Sequence, residues 1–393
     1  MLARSIVVLG SALVLSGPTA AGQPGTAPSR PEETYRQVAV EFGRAVEAAN
    51  ADAAAARIDY DAMLDTAMEG IDAPQAVREG FQRGVKRGVK NAGFTAEVIH
   101  AAEKGARYTL LRVLRIGGEG RALFRMIFTE GGVAYHDLVI GMSRDGKVRI
   151  KDVYVYYSGE RLSQILRRAY IAVAADANKG LLDRLSGWES DYVKNLPVLK
   201  KMTESYKAGQ HREVLKAYLQ LPDSLKKDKS FLVIRVQAAQ ALGDERYAAA
   251  MEDFRRYYPD DPCLDLLGID VYAIRKDYAR ALASIDRLDR SLGGDPYLSV
   301  LRAGMLLRQG NPASARKAAL GAIGAEPDLV DGYWTMVTIS LEEKAFDDTL
   351  KWLKVLRDRF DLAFQDLTTV PEYAEFVRSP QYQAWRKIEN RAR

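Results

Sequence analysis

A single cysteine, Cys263, stands in 393 residues. That count excludes an intrachain disulfide and any cysteine-built metal cluster. Histidine is almost as scarce, and His100, His136 and His211 lack the spacing of a zinc site. No glycine-rich loop closing in Lys-Ser or Lys-Thr is present, so a phosphate loop for nucleotide chemistry is absent. Neither sign of charge dominates: 57 basic residues against 52 acidic ones leave a net charge of +5. Such a mixed surface does not by itself call for a nucleic acid. Long hydrophobic runs are missing too. The clearest, Ile6 to Leu15, is ten residues, too short to span a bilayer as a helix. No metal and no cofactor is expected from this inventory.

What is there begins with an export signal. Arg4 supplies a positive start, Ile6 to Leu15 the apolar centre, and "PTAAG" a small-residue cleavage region. "GQPGTAPSRP" follows as a flexible linker. The expected boundaries are a signal peptide over 1–22 and a linker over 23–31. The mature protein is then periplasmic or secreted. No cysteine follows the apolar centre, so a lipid anchor is not expected.

Residues 32–178 read as an α+β domain. "PEETYRQVAVEFGRAVEAANADAAAARID" and "YDAMLDTAMEG" carry apolar residues at helical spacing. Pro74 to Asn91 continues as a helix with Gly80, Gly84 and Gly88 on one face, which predicts close packing against another element. Its other face holds Arg83, Lys86, Arg87 and Lys90, a pattern that suits an anion or membrane-surface patch and, as the preferred reading, a solvated surface. From Arg107 the period changes to that of strands: "RYTLLRVLRI", "RALFRMIFTE", "VAYHDLVIGMS" and "VRIKDVYVYYS", separated by "GGEG", "GG" and "RDGK". Short turns in succession predict an antiparallel meander. "GERLSQILRRAYIAVAA" returns to helix. This order, helices followed by a curved antiparallel sheet wrapping them, resembles the NTF2-like, cone-shaped α+β family.

That resemblance implies a pocket at the concave face of the sheet, used by some family members for isomerase, dehydratase or cyclase chemistry. The candidates in this chain are Tyr135 and Asp137 on the third strand and Asp152 and Tyr154 on the fourth. Alternation along a strand puts Tyr135 and Asp137 on one face and His136 on the other. A paired acid and base there would suit proton transfer. The competing reading is structural, because mid-strand Arg112 and Arg125 need partners if buried, and Asp137 or Asp152 would serve. Tyrosine, at 20 residues, alternates with Arg and Lys in these strands as on RNA platforms, but a sheet that must cover helices argues against nucleic acid.

After a linker at 179–194, one pattern recurs over 195–361. Turn markers fall at Gly209, Gly243, Lys276, Gly310 and Lys344. Five residues past each sits Val214, Ala248, Ala281, Ala315 or Thr349. Nine and twelve past each come apolar pairs, except in the second unit, where Glu252 and Arg255 fall there. A two-residue insertion in "GDERY", restoring Tyr247, Ala250, Phe254 and Tyr257 as core, is the expected remedy. Helix pairs of this length cannot bury an apolar face alone and must stack. The pattern resembles the tetratricopeptide repeat, with "KDYARALASIDRLDRSLGGDP" the best copy, and predicts an all-α helical solenoid. Residues 362–393 read as its helical cap, anchored by Phe376 and Trp385.

The resemblance implies a binding array. Its inner positions show no basic clamp for a carboxylate. They form instead an apolar strip of Leu199, Val233, Leu266, Val300 and Trp334, suited to an apolar or amphipathic partner segment or to ordinary helix packing. The expectation is an exported, non-catalytic scaffold whose repeats hold a protein partner in the cell envelope, with an N-terminal domain that forms a homodimer or holds a small apolar ligand. The alternative is an isomerase- or lyase-type enzyme using the N-terminal pocket.

Overall fold

A computed structural model describes residues 30–392, apart from 179, 181–183 and 186. The export signal expected over 1–22 and most of the linker after it lie outside the described residues. The chain falls into two compact units, one ending at Leu264 and one starting at Asp265.

The first unit opens with α1 (Arg30–Glu47), α2 (Ala51–Ala55), α3 (Tyr60–Met68), α4 (Gln75–Ala92) and α5 (Phe94–Glu103). Local capping sets several boundaries: the Asn50 side chain accepts from Ala53 N and that of Asp59 from Ala62 N, satisfying donors that the first helical turn leaves open. The sheet follows as β1 (Arg107–Ile116), β2 (Glu119–Ile127), β3 (Val133–Met142), β4 (Val148–Val155) and a two-residue β5 (Glu160–Arg161). All neighbours are antiparallel, in the order β1-β2-β3-β4-β5. Bulges at Leu110/Arg112 and Val139/Ile140 bend it. The four strands expected from the sequence are present, and α6 (Leu162–Ala177) follows them.

One face of the sheet holds Tyr108, Phe124, Leu138, Ile140 and Val153, packed against Val38, Phe42 and Val46 of α1 and Val98 and Ile99 of α5. Below it α3, α4 and α6 share a smaller core of Leu64, Met68, Tyr170 and Ile171, with Phe81 and Val85 against it. The glycines of α4 behave otherwise than expected. A Cβ built at Gly80, Gly84 or Gly88 meets nothing within 4 Å, so this face packs on no described element. Phe81 and Val85, on the neighbouring face, make the contact instead. Glycine inside a helix costs about 0.8–1 kcal/mol relative to alanine when nothing demands it. Gly80→Ala, Gly84→Ala and Gly88→Ala combined are therefore expected to stabilise by about 2 kcal/mol, read as a higher urea midpoint. A lower midpoint would mean that another molecule occupies this face.

From Gly187 the chain is helical: α7 (Gly187–Lys194), α8 (Leu196–Lys207), α9 (His211–Gln220), the single turn α10 (Asp223–Lys226), α11 (Lys229–Gln240) and α12 (Asp244–Tyr257). Then come α13 (Pro262–Ile274), α14 (Tyr278–Leu292), α15 (Pro296–Arg308), α16 (Pro312–Ala325), α17 (Val330–Glu342) and α18 (Phe346–Phe360). Adjacent helices pack as pairs, α8 with α9, α11 with α12, α15 with α16 and α17 with α18. Two 3-10 turns, α19 (Ala374–Val377) and α20 (Pro380–Ala392) close the chain, with Phe376 and Trp385 buried against Tyr333, Leu353 and Leu356. Those two anchors sit where the sequence put them.

The second pair corrects the expected insertion. Gly209, Lys276, Gly310 and Lys344 are left-handed, with φ of 68°, 59°, 80° and 54°. Gly243 is not their counterpart. It is the N-cap of α12, with φ 109° and ψ 169°, and corresponds to Gln210, Asp277, Asn311 and Ala345. The second marker is thus Leu242, one residue earlier. Counting from it, Tyr247, Met251 and Phe254 fall at the positions that the other units fill, and all three are buried, while Ala248 is exposed. No residue is inserted. Of the core expected here, Tyr247, Ala250 and Phe254 are buried and Tyr257 is 40% exposed.

Candidate functional site

The register brings the four sequence candidates onto one face of the sheet, since Asp137 opposes Tyr154 and Val139 opposes Asp152. It gives each a different surrounding. Asp137 receives both arms of the Arg121 guanidinium, Nε at 3.1 Å and Nη2 at 2.5 Å. The sequence had offered Arg112 and Arg125 as partners. Arg121 reaches the carboxylate because it lies diagonally across β2, two residues from Leu123, which directly opposes Asp137. Asp152 is buried and caps α6: Ser163 N and Oγ donate to it at 3.2 and 2.5 Å, and Val153 N at 2.9 Å. Tyr135 is fully buried, its ring edge-on to Tyr156 at 6.0 Å. Burial raises the Tyr156 hydroxyl to about 12, with the Asp137 charge adding to the effect. The carboxylates of Asp137 and Asp152 are thus each engaged by neighbours within the domain.

Tyr154 belongs to a second cluster, within the unit that ends at Leu264. Lys229, at the start of α11, forms an ion pair with Asp261, their side chains 23% and 11% exposed. The Lys229 ammonium lies 5.8 Å from the Tyr154 ring and 5.0 Å from that of Tyr258, a cation–π arrangement on two sides. Gly159, in the turn between β4 and β5, touches this group: a Cβ there would stand 2.7 Å from Lys229 Cδ and 3.3 Å from Cys263 Sγ. Its φ of +70° also disfavours a side chain. Beside it Glu160 pairs with Arg168. Desolvation, then the Asp261 charge, pushes the Tyr154 hydroxyl and the Cys263 thiol far above their ordinary range. A thiol so shifted is a poor nucleophile. The cluster joins the sheet to the first helix pairs, and its three chain segments are too far apart in sequence for spacing to have revealed it.

His136 faces the other way, into the helix-covered core. Phe94 meets its ring edge-on at 4.9 Å and Tyr108 lies at 5.7 Å. Its Nδ1 and the Tyr108 hydroxyl are buried without a hydrogen-bond partner among the described residues. Desolvation lowers the imidazole to about 4.

Four residues of the proposed binding strip, Leu199, Val233, Leu266 and Val300, are buried, and Trp334 is half-buried against Phe364 at 5.6 Å. Their side chains are taken up in packing. An open cleft lies elsewhere, between α1 and the β3–β4 turn, with a volume of about 590 Å³. Thr34, Gln37, Glu41, Arg57, Lys147 and Arg149 supply its polar lining. In the sequence "RDGK" marks only a turn, and no local pattern announces this cleft.

No helix among the described residues is long and apolar enough to cross a membrane. No protein-family model matches the chain, and no curated protein is similar enough to it to count as a relative.

Proposed function

We propose that this protein is an exported, non-catalytic scaffold whose tetratricopeptide-like array holds another protein of the cell envelope. The observation that carries the reading is the register of the array: capping positions at Gln210, Gly243, Asp277, Asn311 and Ala345 recur every 33 or 34 residues, each followed by the same buried positions. Stacks of such units present extended surfaces, which suits recognition better than chemistry. The structural engagement of Asp137 and Asp152 weighs against the isomerase or lyase alternative. With the apolar strip packed away, the partner surfaces in this reading are the exposed apolar side chains on the second helix of a pair. Leu219 on α9, in the unit that ends at Leu264, is 69% exposed, and Leu320 on α16, in the other unit, is 44% exposed. The sheet domain, NTF2-like in this reading, serves as the anchor of the array and as a dimerisation module.

The test is affinity capture from cell-envelope extract with the full chain, beside Leu219→Asp and Leu320→Asp variants. A protein retained by the parent chain and lost from either variant is the expected result. If every retained protein is indifferent to both substitutions, or none is retained, the scaffold reading fails. Cell fractionation tests the location, with recovery from the cytoplasm alone as the result that sinks it.

A further inference from the structure

We propose that two copies of this chain associate through α6, packed antiparallel about a twofold axis at Ala169. The proposal rests on the dimerising role given to the sheet domain and assigns that role a surface. Through its middle, α6 is apolar nearly all round. Tyr170, Ile171 and Ala174 are buried on the inner side, in the core shared with Leu64 and Met68. The other side carries Ile165, Ala169, Ala172 and Val173, a spacing that lines one helical face. There Ile165 is 42% and Val173 46% exposed, and Ala169 is exposed as well. The solvent side of a surface helix is ordinarily polar, and a helix apolar on every side is ordinarily covered on every side. The polar residues of this stretch do not change that face, because each is spent within the chain. Arg167 donates to Glu69 O at 2.6 Å and to Glu189 at 2.9 Å, and Arg168 pairs with Glu160. Gln164 turns back to the helix start, where it accepts from Arg161 N at 2.7 Å.

The two ends of the face favour a second copy as its cover. Arg161 stands eight residues before Ala169 and Asp176 seven after it, about 12 Å and about 10 Å along the helix axis. Neither makes an ion pair among the described residues. A second α6 laid antiparallel across the first sets Ile165 against Val173 of the other copy and brings the two Ala169 methyls together at the centre. It also sets each Arg161 against the other copy's Asp176. The face is complementary to itself, as a twofold interface requires. A parallel arrangement would oppose like charges at both ends. One cation balanced by one anion also disfavours a membrane surface, which basic faces bind.

Sedimentation equilibrium of the full chain across the micromolar range tests this, and a reversible dimer is expected. Ala169→Glu, which sets two like charges at the axis, is expected to leave a monomer. Arg161→Asp and Asp176→Arg each turn two attractions into two repulsions and should weaken the dimer about tenfold. Mixed in equal amounts, those two variants should regain the parent's association, because every arginine then meets an aspartate across the interface. Recovery on mixing cannot come from misfolded chains, and none of the three positions is buried. A chain that stays monomeric throughout overturns both the dimerising role and this surface. A dimer indifferent to Ala169→Glu, or no recovery on mixing, overturns the α6 surface alone.

Discussion

Lys229→Ala is expected to destabilise the protein by about 3 kcal/mol, the lower end of what breaking a buried ion pair costs. The loss comes from what remains more than from what is removed. Asp261, 11% exposed, would keep a carboxylate beside Tyr154 and Cys263 with no cation to balance it. The Tyr154 and Tyr258 rings would also lose the charge that lies over them. Urea unfolding measures the effect as a fall in midpoint at unchanged slope. Lys229→Met keeps the aliphatic stem and should cost nearly as much, because the fault is electrostatic. Combining Lys229→Met with Asp261→Leu should recover most of it, since an apolar pair of similar volume is about as stable as a buried ionic one. A cost below about 1 kcal/mol for Lys229→Ala would place the pair in solvent, where ion pairs contribute little.

Acid should act through His136. Its imidazole, lowered to about 4 by burial, lies below the ordinary value of 6.5, so the unfolded chain takes up the proton first. The contribution of neutral His136 is complete above about pH 6.5, shrinks as pH falls and levels off below about 4. The expected loss is about 3 kcal/mol, from a gap of about 2.5 pH units at 1.36 kcal/mol each. Carboxylates titrate in the lower part of the same range, so the readout is the difference between the parent chain and His136→Leu. The two stability curves should diverge below pH 6.5, with the parent falling faster. Parallel curves would mean that the imidazolium is solvated or paired when it forms. Tyr108, whose buried hydroxyl has no hydrogen-bond partner among the described residues, has its ring 5.7 Å from that of His136.

Local chemistry made part of this protein legible before folding. The strands were readable because alternating β-branched and aromatic residues are broken by glycine turns, and Gly117, Gly118, Gly131 and Gly132 do take positive φ there. The array was readable because every cap demands a small or polar residue at a fixed interval. Where one residue type serves two purposes, the sequence is ambiguous. A glycine at 243 looks the same in sequence whether it is the turn residue or the N-cap one position later, and only its place as the N-cap of α12, with ψ at 169°, separates the two. Gly80, Gly84 and Gly88 form a face on any helix, but whether that face is covered depends on residues elsewhere in the chain.

The sequence by itself determined the element types, the meander, the period of the helices and the aromatic cap, because hydrophobic periodicity and turn chemistry act within a few residues. The tertiary structure alone decided the partners. It gave Asp137 to Arg121, made Asp152 a helix cap, set Lys229 between two tyrosines against Asp261, and brought Arg57 beside Lys147 and Arg149. Each of these pairings unites segments distant along the chain, and no local pattern records which charge will meet which.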